Sequence, residues 1–474
     1  MGENSDKKLG LGLLIALGIG SMIASGIFNG PTDLVMYSNP QAVLIAWCIG
    51  VFGVIMLALV FNILSNKRPE LKGGIYSYAR AGYGEFVGFN CAWGYWMSSF
   101  LGNVSFTILI FKTINSLIGE QYKMPPIVAF TLGSALLWSY YFIIRRGIKE
   151  AGVLNVIITI AKVIPLILVI IFGIMAFESG IFNVFDWKNI LASTGEATTI
   201  GKQVSGAMGT VLWCFVGVEA LVVLSDRAKT QKIVGKATVI ALLATAALYV
   251  AISILAMGVV PASTLAKSTT PLADVLELTT LGKVGGVIIK LGIIISNIGA
   301  LLCWNLLTTE ILYVPAVQDD LMPQWFKKTN EKNVPINALL FTIIAIQIFL
   351  CSLLSPALQK GYYVATHVAT TNILLPYLMS SMFAFKVFKN EKGCIKEKVI
   401  SLISIIYSVY VIYAVGIAYL GLAFIMYSTG LIIYIKGKKE KNQSITKREK
   451  NSMAVLLAIS VFMIILVATG KISV

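Results

Sequence analysis

The chain has 474 residues, of which 57% are hydrophobic and 13% charged, and it carries a net charge of +16 and a single histidine, His367. Soluble domains contain about 25% charged residues, so this composition excludes a water-soluble globular protein. The length leaves room for about 13 membrane-crossing helices of ~20 apolar residues each, together with their loops.

Apolar segments alternate with short polar loops along the chain. Each segment is continuously apolar, which favours membrane-spanning helices over the alternating strands of a barrel. The first segment follows Lys7 and Lys8 as a signal peptide would, but it continues through Ile27 and Phe28, which favours a retained helix. The predicted spans are 9–37, 40–64, 86–115, 125–144, 153–177, 203–225, 237–258, 283–314, 336–354, 361–385, 399–416, 418–435 and 452–470.

The basic residues predict the orientation. With a cytoplasmic N-terminus, 28 of the 38 Lys and Arg fall in inner segments and 8, including Lys112, in outer segments. Because Lys and Arg accumulate in short cytoplasmic loops, we predict a multi-pass protein of the cytoplasmic membrane with its N-terminus inside. The longest basic run, 436–451, is predicted to be a solvated cytoplasmic loop that fixes orientation and can contact anionic lipid.

The composition also bears on cofactors and partners. The six cysteines form no C-x-x-C pair, which indicates neither a disulfide framework nor a zinc site, and we expect no metal and no cofactor. Few acids and one histidine in the spans disfavour a membrane enzyme. Basic residues spread over seven loops disfavour nucleic-acid binding.

The first span contains Gly20-Ser21-Met22-Ile23-Ala24-Ser25-Gly26. Glycine inside a helix costs up to ~1 kcal/mol relative to alanine, so this segment is easily unwound. The alternative is a face of small residues for close helix packing.

The sixth span contains a second interruption, Trp213-Cys214-Phe215-Val216-Gly217-Val218-Glu219. Paired interruptions in two halves of a chain indicate an inverted-repeat transporter with its site at the midplane. The exposed N–H groups and carbonyls of two broken helices suit a carboxylate and an ammonium, so they predict an amino-acid clamp.

Two ionisable residues lie in the middle of predicted spans, where charges are costly. Glu219 adjoins the second break and is interpreted as a gating or proton-sensing group, with a structural partnership as the alternative. Lys162 in the fifth span is either a structural lysine bonded to carbonyls or a coupling group. Its ammonium would then replace a bound sodium ion.

Several motifs resemble the amino acid–polyamine–organocation transporters. These motifs are PELKGGIYSYARAGYGEFVGF (69–89), GSMIASGIF and LWCFVGVE. The segment GFNCAWGYWMSSFLGNVSF (88–106), with LWCFVGVEALVVLSDRAK, is most similar to the arginine/ornithine antiporters of the arginine deiminase pathway. The resemblance, over about 9–435, implies an all-α polytopic protein with a LeuT-like 5+5 inverted repeat, broken helices 1 and 6, and 12–13 transmembrane helices.

The implied organisation has six segments. These are a cytoplasmic N-terminus (1–8), a first inverted repeat (9–177), a second inverted repeat (203–385), helices 11 and 12 (399–435), a basic cytoplasmic loop (436–451) and a thirteenth span (452–470).

The resemblance also implies roles for single residues. The amides of Ser25 and Gly26, with Ala24 nearby, would hold the substrate carboxylate. The carbonyls of Ile23 and Val216 would receive the α-ammonium. Ala24 stands where the subgroup more often has glycine, so its methyl group narrows the pocket.

The side chain of the substrate would meet a second group of residues. Trp213 matches an aromatic lid, Trp304 a cage residue, and Tyr95 an outer or distal gate. The wall around a guanidinium would comprise Ser98, Ser99 and Asn103. Glu219 matches a gating Glu, and Lys162 matches a fifth-helix Lys.

These features predict a secondary transporter that exchanges arginine for ornithine, working as a monomer or homodimer. Lysine/cadaverine, histidine/histamine or arginine/agmatine exchange and proton-coupled symport remain alternatives. A channel is disfavoured because the charges in the spans form no rings.

Overall fold

The computed structural model of the chain describes residues 9–71, 73–147, 151–223, 228–354, 358–469 and 471. The predicted cytoplasmic N-terminus (1–8) lies outside these residues. So do five basic residues of the charge count, Lys7, Lys8, Lys72, Lys149 and Arg227.

The described residues form helices and no β-strand, as predicted for an all-α membrane protein. The helices are α1 Leu11–Met22, α2 Ser25–Val35, α3 Pro40–Lys67, α4 Ile75–Tyr83, α5 Glu85–Ile118, α6 Pro126–Arg145, α7 Ala151–Met175, α8 Ser179–Phe182, α9 Ile200–Phe215, α10 Ala220–Val223, α11 Gln231–Val259, α12 Ala262–Leu265, α13 Pro271–Glu277, α14 Gly282–Asp319, α15 Ile336–Phe349, α16 Leu358–Phe388, α17 Ile395–Val415, α18 Ile417–Glu440 and α19 Lys447–Ala468.

The number of membrane spans agrees with the predicted 12–13. Among the described residues, 11 helices are long and apolar enough to cross a bilayer, and the bent pair α1–α2 makes 12. The helix α7, with 25 residues, would be the thirteenth. The C-terminal ends of α14 and α18 lie near α4 and the start of α5, because Arg80 pairs with Asp319 and Lys438 with Glu85. We call this side of the bundle the basic face. We call the side that holds α8, α12 and α13 the opposite face; α12 and α13 pack there on α2.

The broken helices lie at the centre of the bundle. The helix α1 packs on α7 and α11, whereas α2 and α3 pack on α9. The long helix α5 contacts both α14 and α16 and is buried along most of its length. Residues on α5 and α14 therefore face the two breaks from the other side of the bundle.

The segment 436–451 is more helical than predicted. The helix α18 runs to Glu440 and α19 begins at Lys447, so the connecting loop is short. Lys438 is buried, and its Nζ lies 2.6 Å from Glu85 Oε2 and 3.5 Å from Glu449 Oε1. A Thr446–Glu449 capping box starts α19. The contact with Glu85, which is distant in sequence, and the capping box of α19 explain why this basic segment is ordered.

The position of Lys112 differs from the predicted one. It was counted among the basic residues of outer segments, but it lies within α5, which extends to Ile118, and is only 4% exposed. Its hydrogen-bond partner, Asn29, comes from α2 and is not apparent from the local sequence.

Close helix packing at glycine generates a first prediction. A Cβ at Gly53 of α3 would lie 2.0 Å from Tyr407 Cδ2 of α17. Gly53→Ala should therefore destabilise the protein by about 1–3 kcal/mol, the usual cost of overpacking. The measurement is the midpoint of thermal unfolding in detergent. Gly12→Ala is the matched control, because a Cβ there meets nothing within 4 Å; equal midpoints for the two variants would contradict this packing.

Candidate functional site

The first span is broken where the sequence predicted. The helix α1 ends at Met22, α2 begins at Ser25, and the two axes differ by 41°. Between them, Ile23 (φ −73°, ψ 93°) and Ala24 (φ −138°, ψ −141°) have extended backbone. No side chain caps the N-terminus of α2. Because the first N–H groups of a helix have no partner within it, this end is available to an acceptor.

The carbonyl groups at the break are held by side chains from three other helices. Lys162 Nζ on α7 donates to Gly20 O at 3.0 Å and to Ile23 O at 2.9 Å. The Tyr249 hydroxyl on α11 donates to Met22 O at 2.8 Å, and the Tyr362 hydroxyl on α16 to Ser25 O at 3.1 Å. Lys162 thus joins two carbonyl groups of the break.

The sixth span is also interrupted. The helix α9 ends at Phe215, turns join it to α10, and Gly217 has φ +111°. A Cβ at Gly217 would lie 2.8 Å from Ser21 O, and the Ser21 hydroxyl donates to Gly217 O at 3.0 Å. Glycine is required here both by the backbone conformation and by the contact between the two breaks.

A cavity lies where the breaks face α5 and α14. The space among its lining atoms, together with the open solvent at its mouth, is about 290 Å³. The sequence-predicted residues that line it are Ala24, Gly26, Ser98, Ser99, Trp213, Val216 and Trp304. Four further lining residues were not predicted: Ser21, Met22, Gly102 and Phe106.

Three aromatic rings form the apolar walls of this cavity. The Phe106 ring lies between the indoles, with centroids 6.5 Å from Trp213 and 6.4 Å from Trp304. Gly102 leaves space for Trp213, because a Cβ there would lie 3.3 Å from its Cη2. Phe106 lies three residues after Asn103, so helical spacing on α5 was the available signal for it.

The wall on α5 carries unpaired polar atoms. Ser98 and Ser99 are each 1% exposed, and neither hydroxyl has a hydrogen-bond partner among the described residues. Asn103 lies behind this wall, where its Nδ2 donates to Ser99 O at 3.2 Å and its Oδ1 has no partner in the same set. The hydroxyl groups of Ser98 and Ser99 can therefore accept a hydrogen bond from a polar group in the cavity or donate one to it.

Besides Asn103, three predicted substrate-binding residues do not line the cavity: Ile23, Ser25 and Tyr95. Ile23 and Ser25 adjoin it, but their carbonyls accept hydrogen bonds from Lys162 and Tyr362. Tyr95 lies nearer the start of α5 than Ser98 and faces Glu219.

Glu219 is fully buried directly after the second break. Its Oε2 accepts hydrogen bonds from the backbone N–H of Gly217 at 3.1 Å and from the Tyr377 hydroxyl at 2.6 Å. The Tyr95 hydroxyl faces the same carboxyl group without forming a full hydrogen bond. Tyr377 on α16 was not predicted, since nothing in its local sequence points to Glu219.

Two other ionisable residues of the spans lie away from the cavity. His367 is buried against Tyr363, with ring centroids 3.8 Å apart, and does not line the cavity. Lys290 Nζ pairs with Glu277 Oε1 at 3.1 Å. Among the described residues, no group of three His, Cys, Asp or Glu could hold a metal ion.

Comparison with known proteins agrees with this architecture. The Amino acid permease family matches residues 9–436. An arginine/ornithine antiporter of Pseudomonas aeruginosa is 38% identical, and the alignment covers 94% of each chain. An arginine/ornithine antiporter of Latilactobacillus sakei is 35% identical over 99% of each chain. An arginine/agmatine antiporter of Chlamydia pneumoniae is 32% identical, also over 99% of each. The chain belongs to the amino acid permease family.

Proposed function

We propose that this protein exchanges arginine for ornithine across the cytoplasmic membrane by alternating access. The names of its relatives and the residues that line the cavity support this function. The proposal includes the predicted orientation, with the basic face in the cytoplasm, and two inverted repeats, 9–177 and 203–385. The working unit is a monomer or a homodimer.

The carboxylate end of the substrate binds at the N-terminus of α2. Ala24 and Gly26 line the cavity there, and no side chain caps the helix. Unpaired amides and the positive end of the helix dipole favour an anionic group. This uncapped, buried helix end is the observation that carries the proposal, because a substrate without a carboxylate would leave its amides without an acceptor.

The α-ammonium group of the substrate binds at the C-terminal end of α9. Helix C-termini favour cations, and Val216 lies at this end and lines the cavity. Ile23 O already accepts a hydrogen bond from Lys162. Since a carbonyl oxygen has two lone pairs, it can still accept one from the substrate.

The cationic side chain extends between the aromatic rings. Trp213 and Trp304 present ring surface to the cavity, and indole faces attract guanidinium and ammonium groups. A guanidinium has five N–H donors, which the hydroxyl oxygens of Ser98 and Ser99 can accept. The same site accommodates the shorter ornithine, whose ammonium donates to fewer acceptors.

The exchange needs no ion gradient. Arginine and ornithine each carry a net charge of about +1 at neutral pH, so one-for-one exchange is electroneutral. The Lys162 ammonium, bonded to Gly20 O and Ile23 O, supplies a fixed positive charge at the break in place of a bound cation.

Counterflow in proteoliposomes tests this function. Vesicles loaded with ornithine should accumulate labelled arginine, whereas empty vesicles should take up little, because an exchanger without substrate reorients slowly. Agmatine-loaded and lysine-loaded vesicles test the choice of countersubstrate. Uptake into empty vesicles driven by a pH gradient would overturn the proposal in favour of proton symport.

Arginine/agmatine exchange is the second candidate, because one relative of 32% identity bears that name. Agmatine has no carboxylate and would not use the N-terminus of α2. Its exchange for arginine also moves net charge, so a membrane potential would drive it. Faster uptake into agmatine-loaded than into ornithine-loaded vesicles would favour this candidate.

The aromatic walls generate a prediction about Trp213. Trp213→Leu should abolish exchange or raise the KM for arginine at least about tenfold, since it removes the ring surface facing the cation. The measurement is initial uptake against arginine concentration. Trp325→Leu is the matched control, because Trp325 is 42% exposed and distant from the cavity. Near-normal kinetics for Trp213→Leu would remove this residue from the site.

Glu219 and Tyr377 generate a prediction about pH. Glu219→Gln keeps the shape of the side chain but removes its ionisation, so the pH profile of exchange should flatten while the KM for arginine stays within about threefold. Tyr377→Phe, which removes the hydrogen bond to Oε2, should displace the profile without flattening it.

The control for these variants is Glu196→Gln, since Glu196 is an exposed acid of the loop before α9. Its pH profile should match that of the unmodified protein. An unchanged profile for Glu219→Gln would leave Glu219 with a structural role only.

A further inference from the structure

A buried cluster of charged and polar groups lies between the cavity and the opposite face. Lys112 on α5 and Asp33 on α2 are 4% and 2% exposed. Asn29 on α2 joins them: its Nδ2 donates to Asp33 Oδ1 at 2.8 Å, and its Oδ1 accepts a hydrogen bond from Lys112 Nζ. Neither the described substrate site nor its proposed function uses this cluster.

Besides α5, the helices α16, α13 and α12 contact the cluster or the part of α2 beside it. Lys112 Nζ lies 5.6 Å from the centre of the Tyr362 ring on α16, within the range of a cation–π contact. Asp274 on α13 also attracts the Lys112 ammonium. Thr32 on α2 donates to Leu265 O at 3.0 Å and thus joins α2 to the end of α12.

Tyr362 connects the cluster to the substrate site. Its ring contacts Lys112, while its hydroxyl donates to Ser25 O, the first carbonyl of α2. The cluster and the carboxylate-binding end of α2 therefore share one side chain. A movement of α2 away from α5 would separate Lys112 from Asn29 and would also affect the Tyr362 contacts.

We propose that Lys112, Asp33, Asn29 and Tyr362 form a gate that closes the cavity from the opposite face. Closure brings the ammonium on α5 against the acid and amide on α2; opening separates them and lets water solvate each group. The net stability of a buried ion pair is small, because desolvation offsets attraction, so such a gate can open and close readily.

Removing one charged partner should shift the gate toward its open state. A single remaining buried charge penalises the closed state, because it is desolvated without its counter-charge. Lys112→Met and Asp33→Asn should each favour the open state. The double variant leaves neither charge and should return toward the closed state, so the two effects should not add.

Native cysteines report the state of the gate. Cys214 is 1% exposed and lies against α2: a Cβ at Gly26 would be 3.1 Å from its Sγ. Movement of α2 exposes this thiol. Cys394, at the start of α17 on the basic face, reports leakage.

The experiment adds a membrane-impermeant methanethiosulfonate to sealed vesicles with the opposite face outward and measures labelling of each cysteine by peptide mass spectrometry. Lys112→Met and Asp33→Asn should label Cys214 about fivefold to 100-fold faster than the unmodified protein, the usual range of conformational coupling. Labelling of Cys394, inside the sealed vesicles, should not change. Lys267→Met is the matched control, because Lys267 is an exposed lysine on the same face.

Equal Cys214 labelling in the unmodified protein, Asp33→Asn and Lys267→Met would overturn the gate. If Lys112→Met is not recovered as a monodisperse protein, Asp33→Asn decides alone, because it changes the shape of the side chain least. Additive effects in the double variant would also contradict the pairing of the two charges.

The link between the gate and the substrate site rests on the proposed function, and a separate labelling measurement with arginine tests it. Arginine should slow Cys214 labelling in the unmodified protein, and Tyr362→Phe, which lacks the bond to Ser25 O, should weaken this protection. If arginine does not protect while Lys112→Met still accelerates labelling, the gate stands and the proposed substrate is wrong. Full protection in Tyr362→Phe would show that the Tyr362 hydroxyl does not link the gate to the substrate site.

Discussion

Unwinding a helix inside a membrane leaves backbone groups that neither lipid nor the helix itself can satisfy. At the break between α1 and α2, side chains bind the carbonyl groups but not the first N–H groups of α2. Lys162, Tyr249 and Tyr362 donate to carbonyl groups on its two sides. The N-terminus of α2 has no side-chain cap. Side chains thus serve the carbonyl groups of the break, whereas no side chain serves the first N–H groups of α2.

The two breaks depend on each other through a single glycine. Because Gly217 lacks a Cβ, Ser21 can approach and bond to its carbonyl, and the N–H of Gly217 is bonded to Glu219. Tyr377 continues this set of bonds toward the basic face. On the other side of the cavity, Tyr362 connects the break between α1 and α2 to Lys112. Each route away from the cavity therefore begins at a residue that also shapes the binding site.

The interior of the site was only partly predictable. Trp213, Trp304 and the two serines of α5 could be found because they lie in motifs or at apolar positions with unusual residue types. Phe106 was missed because the residue type of a phenylalanine in an apolar span does not separate lipid contact from cavity contact, and only its helical spacing from Asn103 pointed to the cavity. The same limit applies to Lys112, whose position near the end of a span resembles that of a loop lysine.

The sequence by itself determined the membrane class, the positions of the spans and the two breaks, since these follow from local hydropathy, glycine content and helix length. Only the tertiary structure decided which groups meet. Lys162 and Ile23 are separated by 139 residues, and Tyr377 and Glu219 by 158. Such pairs arise because a buried polar group must find a partner wherever the packing of helices brings one within hydrogen-bond distance, and that packing is a property of the whole bundle.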